Sequence, residues 1–371
     1  MKTKKFEIKN TLGMFDLLKG IIMIAVMLYH TYGLFDFMAV YNSVYDLVRD
    51  RGVLFLIIFL LLKVFMQAIM PVLFIISGYG FRKTSLKKCL NKQFKILLVP
   101  YLTICVMAFV VNLIGFYVLY GGIRASIKSS IQVLIIFLLG FPKESALFGI
   151  TIDSNGVGWF LLALMFGNII FNQLLNHFEG KKLLYSSVIS ACIGWLLGLG
   201  NALPWSISQG FVAAFFLYIG YTAKKKKLLT SPESIKNRNK VVGLIIFATT
   251  IVGAIENFNI ADSSYIFGPL SIFLYGLYSL LVIYFFLCFN CLKGTISMFV
   301  RKVGRLSLYV YCAHTIEFKT IGSYLQYGFA NSWRGNQFVR SMIIFGVRAV
   351  VVLSTAFLYA HIKTLIVRRE K

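Results

Sequence analysis

The sequence predicts an all-α integral membrane protein with about ten transmembrane helices, and composition, apolar runs and charge placement each support that fold class. Of the 371 residues, 58% are hydrophobic and 14% are charged, and the mean hydropathy is +0.79. Soluble globular domains contain about 45–50% apolar and about 25% charged residues, so the composition excludes an ordinary soluble domain. The net charge of +25 does not indicate nucleic-acid binding, because the basic residues lie between long apolar runs and there determine membrane topology.

Ten apolar runs have the length needed to cross a bilayer, which is about 20 residues per helix. An eleventh run, 127–141, is short, begins next to Lys128 and ends at Gly140 and Pro142, so it predicts one interfacial or re-entrant helix. The ten predicted spans cover residues 14–34, 53–80, 94–120, 157–176, 183–200, 205–223, 241–258, 266–290, 304–327 and 340–362.

The basic residues collect in alternate loops of this map. By the positive-inside rule these loops are cytoplasmic, and both termini are predicted to lie in the cytoplasm with them. The longest polar segment, 224–240, is expected to be a cytoplasmic loop that favours anionic membrane lipids, and no appended soluble domain is expected. Of the 38 lysines and arginines, 27 are assigned to the cytoplasm. They belong to the two termini and to loops 81–98, 177–183, 223–240 and 292–305.

The cysteines do not indicate a metal or disulfide site. None of the six lies in a predicted outer loop. Cys288 and Cys291 form a single CxxC pair within an apolar segment, and without a second pair this spacing is more typical of helix packing than of a zinc site. No metal cofactor is therefore expected.

Ionisable side chains within the first span are candidates for function, since a charge at bilayer depth is costly. Asp16 and Lys19 share a helix face and can form an ion pair near the cytoplasmic end. His30 follows Lys19 by roughly 16 Å of helix rise and, after about three full turns, lies on nearly the same face. His30 is either an interfacial histidine bonded to a backbone carbonyl or a general base for a hydroxyl group.

Three further ionisable residues lie inside the last two spans. His314 and Glu317 are three residues apart and can satisfy one another within the ninth span. Arg348 in the tenth span requires a partner or a water-filled cavity, and Glu317 is a candidate partner. We interpret these residues as structural or substrate support.

Four motifs, in order along the chain, resemble those of membrane-bound acyltransferase family 3. Ten residues separate Lys19 from His30 in KGIIMIAVMLYH, which is similar to the family's R/K-x10-H motif. The second span ends in LFIISGYGFRK, which resembles F-x-x-SG[FY] followed by basic residues. GVGWFLLALMF opens the fourth span and GRLSLYVYCAH lies near the chain's end, and these are similar to W-[SF]-L and G-x-x-S-[LY]-x-x-Y-x-x-H. The resemblance covers residues 1–371 as a single acyltransferase-3-like transmembrane domain.

The resemblance implies an O-acyltransferase that takes an acyl group, usually acetyl from cytoplasmic acetyl-CoA, to a hydroxyl of a cell-surface glycan or other envelope molecule. It implies that His30 is the catalytic histidine and that Lys19 is its partner in the motif. Arg82 and Lys83, with Ser77 in the same motif, are implied to receive the acyl-CoA donor. The third motif implies that Trp159 gives substrate or structural support. A few positions after this tryptophan many members carry an acidic residue, where this chain reads LALMF. The implied location is a bacterial cell membrane.

Two mechanisms and one other function remain open from the sequence. His30 can deprotonate the attacking hydroxyl, or it can accept the acyl group and pass it on. The alternative function is a transporter or flippase of a polysaccharide or lipid-linked glycan, because intramembrane Lys, Arg, His and Glu also mark substrate and proton paths.

Overall fold

The chain folds into packed helices with very little sheet. The computed structural model describes residues 13–31, 48–50, 52–147, 149–230, 238–255 and 257–369. It is about 81% helical, and a small antiparallel hairpin pairs β1 (Ser145–Leu147) with β2 (Ile150–Ile152). This composition confirms the predicted all-α membrane fold. Both termini, which we predict to be cytoplasmic, lie outside the described residues.

The connections between consecutive helices differ in length, since one is the single residue Leu306 and another is the segment 140–158. The π-helix Phe94–Leu98 joins α3 to α4 without a break. In chain order the α-helices are α1 (Asp16–Tyr29), α2 (Val53–Tyr79), α3 (Leu86–Gln93), α4 (Val99–Tyr120), α5 (Ile123–Leu139), α6 (Trp159–His177), α7 (Gly180–Gly198), α8 (Ile207–Lys225), α9 (Arg238–Ile255), α10 (Pro269–Cys288), α11 (Thr295–Arg305), α12 (Ser307–Lys319), α13 (Ile321–Ser332) and α14 (Gln337–Arg369).

Seven helical segments among the described residues are long and apolar enough to cross a membrane. They correspond to seven of the ten predicted spans. Of the other three predicted spans, 14–34 coincides with α1, which has 14 residues, and 183–200 coincides with α7, which has 19. The third, 304–327, is not one helix. The predicted span 304–327 is divided at Thr320 into α12 and α13, and the predicted span 14–34 continues beyond the described residues.

Helix α8 lies at the centre of the bundle and packs against α2, α6 and α7. Glycines bring the backbones of α2 and α8 together. A methyl group at Gly78 would overlap the backbone of Leu217, and one at Gly220 would overlap the carbonyl oxygen of Ile75. The glycine of the SGYG motif at residue 78 therefore has a packing role, as small residues commonly do between membrane helices.

The short helix predicted over 127–141 is present as α5, and its C-terminal end is fixed against neighbouring elements. The hydroxyl of Tyr101 in α4 donates to the carbonyl of Phe137 at 2.6 Å. Trp205 Nε1 donates to the carbonyl of Leu138 at 3.0 Å, just before α8 begins. These bonds satisfy carbonyls that a helix C-terminus leaves without partners.

Helix α1 crosses α11 at two glycines and reaches the ionisable residues of α12 and α14 at its C-terminal end. A methyl group at Gly20 would overlap the carbonyl oxygen of Val300, and one at Gly304 would overlap that of Asp16. This close crossing determines where both ends of α1 lie, and α1 carries Lys19 near one end and His30 just past the other.

Candidate functional site

His30 follows the last residue of α1, and its backbone carbonyl is held by two side chains. Arg348 Nη1 of α14 donates to the His30 carbonyl oxygen at 2.6 Å, and Gln326 Nε2 of α13 donates to the same oxygen at 3.1 Å. The imidazole ring packs against Phe318 with centroids 4.9 Å apart and lies 5.8 Å from the His314 ring. Two neighbouring helices therefore fix the position of His30.

A fully buried ionic network lies behind His30. Glu317 Oε1 accepts from Arg348 Nε at 2.6 Å, and Oε2 accepts from Arg348 Nη2 at 3.1 Å. The same carboxylate lies 3.2 Å from His314 Nδ1. The side chains of His314, Glu317 and Arg348 are only 1–3% exposed. The structure thus shows both the His314–Glu317 pair and the Glu317–Arg348 partnership that the sequence suggests.

The protonation of His314 follows from this arrangement. A carboxylate accepts hydrogen bonds, so the His314 tautomer that fits carries its proton on Nδ1 and leaves Nε2 as the basic nitrogen. Nε2 is buried and has no hydrogen-bond partner among the described residues. Helix α12 presents His314, Glu317 and Phe318 to one region because residues three and four apart share a helix face.

A cavity of about 260 Å³ lies in front of His30 and opens toward the loops. Trp159, at the first turn of α6, lines it together with Phe318. Gly156 lies beside Trp159 with φ +61, and a methyl group there would meet the Phe318 ring at 2.8 Å, so glycine is required at this wall. The lining residues are Val26, Tyr29, His30, Met66, Gln67, Ile69, Met70, Pro142, Ser154, Gly156, Trp159, Phe258, Asn259, Ile260, Ala261, Asp262 and Phe318.

Lys19 and Asp16 lie at the other end of α1, away from this cavity. Lys19 Nζ is 3.1 Å from Asp16 Oδ1, and Arg305 Nε is 2.9 Å from Asp16 Oδ2. Asp16 is therefore shared between two cations, one from its own helix and one from α11. Lys19 keeps 25% of its side chain exposed and does not line the His30 cavity. The structure places the two motif residues at opposite ends of one helix.

Arg82 and Lys83 are exposed in the segment that links α2 to α3, and neither lines the cavity. This segment is anchored next to them, because Thr84 N–H donates to Asn172 Oδ1 at 3.1 Å and Asn172 Nδ2 donates to the Thr84 carbonyl at 3.0 Å. Ser77 lies three residues before Gly80 at the end of α2 and is partly exposed.

The sequence did not single out several residues that the structure brings to the site. Gln326 and Phe318 contact His30 directly, and Arg305 completes the ion pair of Asp16. A polar residue within an apolar segment is a weak signal for Gln326. No periodicity indicates its contact with His30, since the two residues are almost 300 positions apart.

The comparison with protein-family models gives the family to which the chain is similar. The family model of the acyltransferase domain of family 3 matches residues 13–360, which is nearly the whole chain. No curated protein and no solved structure gives a significant match. The matched range includes His30, Lys19, Arg348 and every described residue that lines the cavity.

Proposed function

The chain belongs to acyltransferase family 3, and on that premise we propose that it is a membrane O-acyltransferase. It transfers an acyl group, acetyl from acetyl-CoA, to a hydroxyl of a cell-surface or envelope carbohydrate. The observation that carries this proposal is the position of His30, whose ring lines a cavity while its carbonyl is held by Arg348 and Gln326. The proposed location is the bacterial cell membrane.

The reaction proposed is direct transfer with His30 as general base. The acceptor oxygen attacks the thioester carbonyl, the new C–O bond forms, and the C–S bond breaks. The hydroxyl proton moves to the His30 ring and then to the departing thiolate, which leaves as the free thiol of coenzyme A. General-base catalysis of this kind contributes about 10²–10⁴-fold to the rate.

The His314–Glu317–Arg348 network supports this role by positioning His30. Arg348 holds the His30 carbonyl, and Glu317 holds Arg348 through two hydrogen bonds. The two hydrogen bonds to Glu317 restrict the guanidinium in two directions. The Arg348 N–H that donates to the His30 carbonyl therefore keeps its position. The backbone of His30 is therefore fixed before substrate binds.

The donor is proposed to enter from the cytoplasmic side. Lys19, Arg82 and Lys83 supply positive charge for the phosphates of coenzyme A, with Ser77 beside them. His30 lies eleven positions after Lys19, which is about 16 Å of helix rise. A pantetheine arm extended along α1 connects these two levels and brings the thioester toward the His30 cavity.

The test compares base-labile acetate on surface glycans from cells that carry the intact protein, the His30→Ala variant or neither. His177→Ala is the matched control, because His177 is exposed at the end of α6 and contacts Gln173 and Phe178. We expect ester acetate with the intact protein and the control, and none with His30→Ala at equal membrane levels. Equal acetate in all cells, with a glycan intermediate accumulating on the cytoplasmic side when the protein is absent, would establish transport instead.

A further inference from the structure

The loop between α9 and α10 forms one wall of the His30 cavity. Five consecutive residues of this loop, from Phe258 to Asp262, line the same cavity as His30 and Trp159. Two of them, Asn259 and Asp262, are polar. The mechanism proposed above uses neither of these side chains.

The loop is held in one shape by bonds to the rest of the bundle. Gln209 of α8, which is 1% exposed, donates to the carbonyl of Ala261 at 3.0 Å and to Ser263 Oγ at 3.1 Å. The ring of Phe258 stacks on Tyr275 of α10 with centroids 4.0 Å apart and planes 15° apart. A wall anchored on two helices presents its polar groups at fixed positions before any ligand arrives, which lowers the entropy cost of binding.

The polar groups on this wall have hydrogen-bonding capacity left for a ligand. Asn259 Nδ2 donates to Asp262 Oδ2, and this amide nitrogen carries a second proton. Within the described residues, Asp262 Oδ1 has no hydrogen-bond partner, and Asp262 is exposed at the cavity edge. Desolvation by its surroundings raises the pKa of the Asp262 carboxyl above its ordinary value, while Lys143 and the bond from Asn259 act in the opposite direction.

We propose that Asp262 and Asn259 form an acceptor subsite that binds neighbouring hydroxyls of one sugar ring. A carboxylate accepts from a hydroxyl and an amide donates to the next one, which matches two adjacent hydroxyls on a ring. The aromatic walls at Phe258 and Trp159 accommodate the apolar face of that ring. This inference rests on the proposed function, since it assigns the binding of the hydroxyl compound that His30 activates.

The size of the cavity gives room for about one sugar unit of the acceptor. Drug-sized ligands occupy pockets of about 300–1,000 Å³, and this cavity of about 260 Å³ is smaller. The unit bound at Asp262 therefore lies against His30 itself. Hydroxyls next to the acylated position are held, and the acylated hydroxyl points to the imidazole.

The experiment uses the purified full chain in lipid nanodiscs with acetyl-CoA, and measures release of the coenzyme A thiol. The acceptor probes are methyl glucoside, methyl galactoside and methyl mannoside, each beside analogues that lack one hydroxyl. Asp262→Asn is the test variant, and it keeps an oxygen that can accept from Asn259. Glu144→Gln is the matched control, since Glu144 is an exposed carboxylate near the same loops and does not line the cavity.

We expect Asp262→Asn to raise the KM for the best hexoside about tenfold or more, the loss that follows removal of one charge-assisted hydrogen bond, with kcat changed less than about threefold. The preference of the intact protein for the full hexoside over one deoxy analogue should disappear in the variant. This non-additivity separates a lost contact from general damage, in which both probes lose activity equally. Glu144→Gln should match the intact protein.

Three results would overturn the subsite. One is an unchanged KM in Asp262→Asn, and another is an equal loss for the hexoside and every deoxy analogue. The third is no hexoside-dependent thiol release although cells carry His30-dependent ester acetate, which rejects the subsite and leaves the proposed function standing. If the cells themselves show no His30-dependent ester, the proposed function fails and the subsite fails with it.

Discussion

Arg348 is 1% exposed and carries a charge that its surroundings must compensate. Its partners are the Glu317 carboxylate, through two hydrogen bonds, and the His30 carbonyl. Phe318 covers the guanidinium at 5.8 Å, between the charge and the cavity. A buried ion pair contributes little net stability compared with apolar residues of the same size, so we interpret this pair as positioning His30.

The stability of single and double variants distinguishes positioning from simple stabilisation. Arg348→Met leaves the Glu317 carboxylate buried without its cation, and we expect a loss of about 3–5 kcal/mol in unfolding free energy. Replacing both residues, Glu317→Leu with Arg348→Met, removes the uncompensated charge and should restore the thermal midpoint of the detergent-purified protein. Glycan esterification should remain absent, because the His30 carbonyl has lost its hydrogen bond from Arg348 and keeps only the one from Gln326. An active double variant would show that the network serves only stability.

Lys19 is predicted to act on the donor and not on the chemistry at His30. Lys19→Met should raise the KM for acetyl-CoA about 10- to 100-fold, the effect of losing one hydrogen bond to a charged phosphate. Folding should be little affected, because Asp16 keeps Arg305 at 2.9 Å. Thiol-release kinetics with varied acetyl-CoA measure this effect, and Lys181→Met, at an exposed lysine that the positive-inside rule assigns to the cytoplasm, is the control. A fall in kcat with unchanged KM would instead place Lys19 in the chemical step.

Part of this site could be read from the sequence. The spacing of Lys19 and His30 gave their separation along α1, and the spacing of His314 and Glu317 gave their pairing, because helical geometry relates nearby positions. The contact of Gln326 with the His30 carbonyl could not be read, since it depends on how α13 packs against α1. It also could not be read from the sequence that residues 258–262 form a wall of the His30 cavity.

The crossing of α1 and α11 is the element contact on which the position of His30 depends. Gly304→Ala would force its methyl group into the carbonyl of Asp16, so we expect a loss of about 1–3 kcal/mol together with lower activity. Gly243→Ala is the matched control, because Gly243 lies within α9 with nothing near its added methyl group. That change should leave stability unchanged or raise it by up to about 1 kcal/mol. Thermal denaturation in detergent measures the midpoints of the two variants. Equal midpoints for Gly304→Ala and Gly243→Ala would refute the close crossing of α1 and α11.

The break between α12 and α13 shows why the predicted span 304–327 is not a single helix. Thr320 adopts φ −129 and ψ −99, and its hydroxyl donates to the Ile316 carbonyl at 2.6 Å, four residues back. Threonine bonds of this kind bend helices, but most threonines in apolar segments cause no break, so sequence alone does not locate it. Gly322 lies directly after the break, where a methyl group would overlap the Glu317 carboxylate. The break therefore makes room for the ionic network.

At the scale of the whole molecule, the number of membrane crossings after α1 must bring residues 258–262 to the same side of the membrane as His30, because both line one cavity. Whether α7 crosses the membrane determines the orientation of every later helix. Helix α7 is not one of the seven described helices that are long and apolar enough to cross. It nevertheless packs along α8, with Ser190 Oγ donating to the Phe211 carbonyl and Gly194 in contact with Ser208 and Val212. Residue numbers rise along α7 as they fall along α8, so the two helices are antiparallel. With 19 residues, or about 28 Å, α7 is as long as its neighbour and can cross the membrane beside it.

Cysteine labelling of intact cells tests this crossing. In a background with all six native cysteines replaced, single cysteines are introduced by Lys181→Cys before α7 and by Asn201→Cys after it, both at exposed positions. Because the positive-inside rule places Lys181 in the cytoplasm, an impermeant maleimide should label the Asn201→Cys protein from outside and the Lys181→Cys protein only after permeabilisation. Lys226→Cys, after α8, should behave like Lys181→Cys. If the first two proteins label alike, α7 does not cross, and the predicted count of spans would then place Asp262 on the side of the membrane opposite to His30, although both residues line one cavity.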